Sequence, residues 1–255
     1  MTIFMLIAFI FGSIVGSFLN VCIYRLPRGE SVVTPRSHCP GCGKLIRAWD
    51  NIPILSFLIL RARCRDCGQP IAWRYPLVEG LTGLLFALII LQYGPTALAA
   101  SLLLFVAALV VIAFVDLDHQ EIPLEITLPG IPLGLLVGVA VGGPPILDRI
   151  LGTLMGAGLL YLVLLYGNWW YEKEVMGEGD LNLMAMVGAF LGWKAVILTL
   201  ILGCLSGSLV GVTLIALRRL DRHDHIPFGP YLVLGALVSL FWGDSLIAWY
   251  AGRLQ

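Results

Sequence analysis

Two acidic clusters interrupt otherwise apolar stretches of this 255-residue chain: FVDLDHQEIP, which holds Asp116 and Asp118, and GEGDLN, which holds Asp180. An isolated aspartate at the end of an apolar stretch is ordinarily a solvated boundary residue. Two such clusters expected on the same side of a membrane are candidates for chemistry. The chemistry open to a pair of carboxylates sharing one proton is hydrolysis: the ionised Asp activates water, and the protonated partner donates toward a peptide carbonyl as charge builds on its oxygen. Such a pair titrates as a unit, because two neighbouring negative charges repel. Asp116 and Asp180 are 64 residues apart, so the fold has to bring them together. Asp118 lies two positions beyond Asp116 and cannot share its helical face, so only one of the two joins the pair directly. Composition alone does not choose between them, and the other is left to orient the turn, with His119 as a local hydrogen-bond partner. Gly177 and Gly179 suit a close backbone turn beside Asp180, in conformations that a side chain would penalise.

A second constellation has the donors of a metal site, with a redox pair or iron, or no metal at all, as the alternatives. Cys39, Cys42, Cys64 and Cys67 form two CxxC pairs, in HCPGCG and CRDCG, separated by 21 residues. Each short turn points two thiolates at one tetrahedral ion, and four thiolates leave no open coordination position, so the expected ion is a structural zinc that folds the segment and does not activate water. His38 adjoins the cluster as a surface neighbour. Cys22 and Cys204 lie in apolar stretches, where free cysteine packs as a small hydrophobe. His223, Asp224 and His225 in RLDRHDHIPFGP are metal-binding in type, but their spacing is that of an exposed loop.

The elements that position these groups follow from composition. The chain is 59% hydrophobic, and its 16 basic and 16 acidic residues balance, which provides neither a nucleic-acid footprint nor an acidic tail. Seven stretches reach the length of a membrane span, near 2–24, 76–93, 95–115, 126–142, 146–168, 194–217 and 229–250. An eighth is implied near 181–193, where LNLMAMVGAFLGW is short and contains glycine. The expected fold is therefore all-α: a polytopic helical membrane protein of about eight spans, one domain over 1–255, with a zinc-binding insertion over 25–75. The first stretch has no basic region before its apolar core and is followed by Arg25 and Arg28, as in a retained anchor. The insertion carries nine basic residues against the acids Glu30, Asp50 and Asp66. With Lys173, Arg218, Arg219 and Arg222 it is expected on the cytoplasmic side, leaving Arg149, Lys194 and Arg253 outside. Trp49 and Trp73 are expected at the membrane interface. LPGIPLG and VGGPP suggest a kinked helix followed by a tight turn.

Taken in order, the motifs resemble those of the prepilin peptidase family, bifunctional leader peptidases and N-methyltransferases that process type IV prepilins and type II secretion pseudopilins. The resemblance covers nearly the whole chain: GSFLNVCIYRLP from Gly16 to Pro27, the paired CxxC loop, DLDHQEIP, GEGD, and IPFGPYL from Ile226 to Leu232. It implies that Asp116, in preference to Asp118, and Asp180 are the catalytic acids. Asn182 stands where many relatives have lysine. It further implies a bacterial inner-membrane enzyme whose substrate is a membrane-anchored precursor with a short basic leader, cut on the cytoplasmic side after glycine. The new N-terminus, commonly phenylalanine, is then methylated from S-adenosylmethionine.

For methyl transfer the residues say less. GSIVGSFLN is not a dinucleotide-binding turn after a strand, so it does not locate the cofactor. The resemblance points to the N-terminal segment and the zinc loop, with Asn20, Arg25 and Pro27 as organising residues; a structural membrane-boundary motif is the equal alternative. Either Glu30, Asp50 and Asp66 or Glu172, Glu174 and Glu178 could attract a basic leader, and the basic excess of the insertion favours the second set. Two other functions fit membrane acids: an intramembrane-cleaving aspartic protease and an ion-coupled transporter. Oligomeric state and the preferred pilin are not encoded in any motif.

Overall fold

The computed structural model describes residues 1–171, 177–219 and 226–253, and every regular element among them is helical. Seven helices are long and apolar enough to cross a membrane. They are α1 (Thr2–Arg25), α3 (Arg74–Tyr93), α4 (Ala97–His119), α5 (Leu124–Val141), α6 (Ile146–Tyr171), α8 (Trp193–Ala216) and α9 (Gly229–Ala251). Two shorter helices complete the set, α2 (Leu55–Ile59) inside the insertion and α7 (Glu178–Leu191). All seven expected stretches are helices, and α5 continues through both Pro129 and Pro132. The chain divides into two compact units, Met1–Val111 and Ile112–Gln255, with the boundary inside α4.

In the first unit α1 packs along α3. The contact is close because glycines face it: a Cβ on Gly12 would lie 2.8 Å from Gly83 Cα, and one on Gly16 would lie 2.8 Å from Glu79 Cα. Small residues four apart let helix backbones approach where lipid removes the hydrophobic drive for association. Between these helices the insertion forms two knuckles, closed by bridges pairing His38 with Leu45 and Arg63 with Pro70.

In the second unit α7 is the central element, packed by α5, α6, α8 and α9. Its 14 residues include an unbroken buried run from Leu183 to Phe190. At 1.5 Å per residue it is about 21 Å long, against roughly 30 Å for a hydrocarbon core. The stretch near 181–193 is thus a short helix enclosed by protein. Gly192, at φ 81°, turns the chain directly into α8. Gly152 and Gly156 of α6 lie against the α7 backbone: a Cβ on Gly156 would stand 2.3 Å from Met184 O, and one on Gly188 2.2 Å from Gly152 C.

Arg149, expected on the external side, is withdrawn from the surface. It is 2% exposed, and its guanidinium donates to the carbonyls of Gly134, Gly142, Pro144 and Ala189, joining α5, α6 and α7. A planar fork with five N–H groups is suited to gather carbonyls left unpaired at helix ends. Cys22 is buried as expected, whereas Cys204 lies on an exposed face of α8.

The close α6/α7 crossing predicts that Gly188→Ala, whose methyl group would meet only backbone, costs about 1–3 kcal/mol or more and lowers the thermal midpoint in detergent. Gly158→Ala on the same α6, where a Cβ meets nothing within 4 Å, is the control and should leave the midpoint unchanged or slightly raised. Equal midpoints for the two variants would contradict the crossing.

Candidate active site

Asp116 occupies the last turns of α4, where the helix changes from buried to exposed. It is 5% exposed, whereas Leu117, Asp118 and His119 beyond it are all exposed. The separation of Asp116 from Asp118 by helical face is therefore as the spacing requires. The chain leaves α4 through Gln120 in the left-handed region, φ 55°, and reaches Pro123 before α5 begins.

Asp180 comes from another direction. Gly177 precedes α7 in an extended conformation, φ −73°, and Asp180 is buried in the helix's first turn. Asp116 is close enough to Asp180 for its charge to act there. The glycines before Asp180 do not serve it by unusual dihedral angles, as expected from sequence, since neither has positive φ. Gly179 serves by close approach: a Cβ there would lie 2.6 Å from Ile122 Cβ, so the absence of a side chain seats GEGD on the segment that follows Asp116. Gly177 is exposed and crowded by nothing but its own turn. Asn182 donates to Glu178 O at 3.2 Å, and Glu178 is exposed in the first turn of α7.

A third segment completes the site. The Gly229 N–H, opening α9, donates to Asp116 Oδ2 at 2.9 Å. Pro230 has no N–H to offer, and those of Tyr231 and Leu232 are returned to Phe228 O. Any Cβ on Gly229 would lie 2.7 Å from Asp116 Oδ2. Sequence reasoning took IPFGPYL as a motif without assigning this glycine a role. The signal available was Gly-Pro at the start of an apolar helix, the place where a backbone N–H is free to bind an acid.

In the first unit the four cysteine sulfurs lie within 4.8 Å of one another, and Cys39 Sγ is 3.8 Å from Cys67 Sγ. Backbone N–H groups aimed at Cys39, that of Cys42 foremost, bring its thiol down to about 7. Against the lowering pull of the Gln69 N–H, desolvation and the neighbouring thiols push Cys67 up to about 11. The four sulfurs offer one ligand atom each to a single metal ion. His38 is exposed, with Nδ1 3.3 Å from Arg36 O, outside the cluster. Trp49 and Trp73 are exposed, the latter edge-on to Phe57.

Behind the knuckles a cavity of about 550 Å³ opens against α1 and α3. Asn20, buried, donates through Nδ2 to Gly16 O and Tyr75 O, both at 3.2 Å. Arg25, also buried, spreads its guanidinium over Ser31 O and Pro35 O, each at 2.7 Å, and so folds the entry to the insertion. Pro27 lies in the single 3-10 turn that follows α1. Sequence reasoning missed Glu79 in the same wall. It is buried, and its Oε2 accepts the Ile54 N–H at 2.8 Å. The signal was a lone acid inside the apolar run PLVEGLTGLLF, a pattern that marks function by default in a membrane helix. Glu172, Lys173 and Glu174, and Arg222, His223, Asp224 and His225, lie outside the described residues.

Comparison with known proteins covers both units. Residues 10–93 match the bacterial peptidase A24 N-terminal domain, and residues 103–212 match the Type IV leader peptidase family. The prepilin leader peptidase/N-methyltransferase of Aeromonas hydrophila is 39% identical over 96% of this chain and 92% of its own length. The Myxococcus xanthus protein of that name is 44% identical over 84% of this chain and 64% of its own. That of Pseudomonas aeruginosa is 36% identical over 97% of this chain and 93% of its own. No solved structure is significantly similar. With both halves matched in order and relatives aligned along almost their full length, this chain belongs to the Type IV leader peptidase family.

Proposed function

We propose that this chain is a single helical enzyme over 1–255 that cleaves the basic leader from type IV prepilins or type II secretion pseudopilins and N-methylates the new N-terminus. Asp116 and Asp180 carry the cleavage. The observation that supports this reading most directly is the convergence of two remote acids, with Asp116 fixed by the Gly229 N–H. The pair shares one proton across a bound water. Its ionised member takes a proton from the water as oxygen attacks the scissile carbonyl, and its protonated member donates to that carbonyl's oxygen. The protein spans the bacterial inner membrane, with the short α7 counted as the eighth crossing and the acids and insertion on the cytoplasmic side. The substrate's apolar helix stays in lipid.

The insertion over 25–75 holds a structural Zn2+ on Cys39, Cys42, Cys64 and Cys67. A tetrahedron with Zn–S near 2.3 Å separates its sulfurs by about 3.8 Å, and the all-thiolate donor set suits this ion. The Cys39 to Cys67 spacing of 3.8 Å fits that geometry. S-adenosylmethionine, when bound, supplies an electrophilic methyl group. The cavity beside the knuckles has the volume of a small-molecule site, and its wall carries both acids (Glu30, Asp50, Asp66 and Glu79) and bases (Arg25, Lys44, Arg47 and Arg65). Asn20 and Arg25 line it, and Pro27 lies in the turn that follows α1.

Asp116→Asn and Asp180→Asn should each lower precursor cleavage by about 10²- to 10⁴-fold, while a peptide already cut is still methylated. Asp118→Asn, altering an exposed residue, should be milder. Mass spectrometry of a precursor peptide incubated with S-adenosylmethionine reads both events, and undiminished cutting by either of the first two variants would refute the dyad. Replacing Cys39 and Cys42 together by Ser should reduce bound zinc from one per chain to none. Zinc uptake by the apoprotein at neutral pH should release protons, because thiols such as Cys67 at about 11 must ionise to bind. Full zinc content after loss of a pair would exclude the four-thiolate site.

Glu178 stands exposed beside Asp180, whereas Asp50 is paired with Arg65 and Asp66 with Lys44. The leader is therefore assigned to the GEGD side. Reversing charge at Glu172, Glu174 and Glu178 should raise KM for a basic leader more than for a neutralised one, and equal impairment would rule the contact out.

A further inference from the structure

We infer that Glu79 is the residue that receives the freed α-amino group of the processed substrate, holding its ammonium in the cavity of the first unit and taking its proton before the nitrogen is methylated. This rests on the methyltransferase reading above and extends it to the amine acceptor, which no motif assigns.

Four observations place the amine there. Glu79 is 8% exposed and lines the 550 Å³ cavity. Its Oε2 is held by the Ile54 N–H, and the Ser17 hydroxyl also reaches the carboxylate, so its hydrogen-bond partners are neutral donors. None of the salt bridges among the described residues involves Glu79. A cavity wall with a buried carboxylate supported only by neutral donors is complementary to an ammonium group. Of the guanidinium groups in that wall, Arg25 is committed to Ser31 O and Pro35 O, and Arg65 to Asp50.

The backbone around Glu79 is built for it. Ile54 has φ 63°, a conformation that β-branched residues rarely adopt, and in it the N–H reaches Glu79. On the opposite side, Gly16 has no side chain, and a Cβ there would lie 2.8 Å from Glu79 Cα. Asn20, one helical turn on, donates through Nδ2 to two backbone carbonyls and lines the same cavity.

The rest of the ligand is accommodated as well. An open apolar trough of about 920 Å³ runs along α1 past Leu6, Ile10, Ile14 and Phe18 and shares Ser17, Val21 and Ile54 with the cavity. An apolar segment lying in the trough with its first residue at Ser17 brings its terminal nitrogen to Glu79. The occupant is the cut substrate, because it alone joins a free amine to an apolar helix.

The bound ammonium first gives up one proton, and the lone pair so freed forms the N–C bond as the donor's C–S bond breaks with both electrons remaining on sulfur. The Glu79 carboxylate accepts that proton and returns it to water through the open trough.

The test uses full-length protein in lipid nanodiscs and a synthetic apolar peptide beginning with phenylalanine, free or acetylated at its amine. Wild type should bind the free-amine peptide about 10- to 100-fold more tightly than the acetylated one, as expected for a hydrogen bond between charged groups. Glu79→Gln keeps an oxygen for the Ile54 N–H but loses the charge, so it should bind both equally and lose methyl incorporation. Glu79→Asp should regain part of the preference. A carbodiimide, which joins a carboxylate to an amine in contact, should couple the free-amine peptide to Glu79 of the unaltered protein. This readout decides the matter if Glu79→Gln loses zinc or fails to fold. An undiminished amine preference in Glu79→Gln, or coupling at Asp116 or Asp180 with none at Glu79, would overturn the inference. Absence of methyl transfer by wild type would instead overturn the methyltransferase reading, while coupling at Glu79 would still show where the amine binds.

Discussion

A carboxylate withdrawn from water has to find hydrogen-bond donors where it is set down, and in an apolar bundle the backbone supplies most of them. The structure meets this demand twice in the same manner. Asp116 accepts the N–H of Gly229, and Glu79 accepts the N–H of Ile54. Each amide is made available by a local departure from regular structure. At Gly229 it is the first residue of a helix, where the N–H has no intrahelical partner and no side chain bars the acid's approach. At Ile54 it is a left-handed backbone on a β-branched residue, which costs on the order of 1–3 kcal/mol. That cost is offset locally: the Ile54 N–H is bonded to Glu79 and its carbonyl accepts Leu58 N–H at 3.2 Å.

Close backbone approach is the second requirement, and glycine fulfils it at both acids. The Gly16 contact presses α1 onto α3 at Glu79, and the Gly179 contact presses the start of α7 onto Ile122 beside Asp116. Further along α7, Gly188 meets Gly152 and Met184 meets Gly156, so the helix is seated along its length. A short helix enclosed by protein can hold an acid at its first turn in one place, because all of its faces are packed. A lipid-facing helix would leave the acid's position to rotation about its own axis.

Much of this was legible in the sequence, for physical reasons that differ by element. The long helices were visible because a span must be apolar for roughly 20 residues, and no other constraint writes so long a signal. The cysteine cluster was visible because two short turns around one ion fix the CxxC spacing. Asp116 and Asp180 stood out as acids at the ends of apolar runs. What sequence hid was partnership. The burial of Arg149 leaves no mark in sequence because its partners are carbonyls, which every residue carries and no motif records. Gly179 was read as a dihedral-angle residue when it is a contact residue, since one letter codes for both uses. Glu79 was passed over as a single acid in an apolar run, because the loop amide and the hydroxyl that support it lie 25 and 62 residues away.

The two kinds of buried acid are equipped for different work, and the difference lies in their neighbours. Asp180 has another carboxylate as its electrostatic neighbour, and the proposed dyad uses that repulsion to keep one proton between the two, so that the pair both accepts and donates. Hydrolysis of an amide requires that combination, since the attacking water must lose a proton while the carbonyl oxygen gains one. Glu79 is supported by an amide N–H and a hydroxyl, donors that favour an anion and have no proton to exchange at neutral pH. An acid so held is suited to bind a cation, and lacks the second acid that peptide cleavage needs. A chain that first cuts an amide and then alkylates the amine it has released needs one site of each kind.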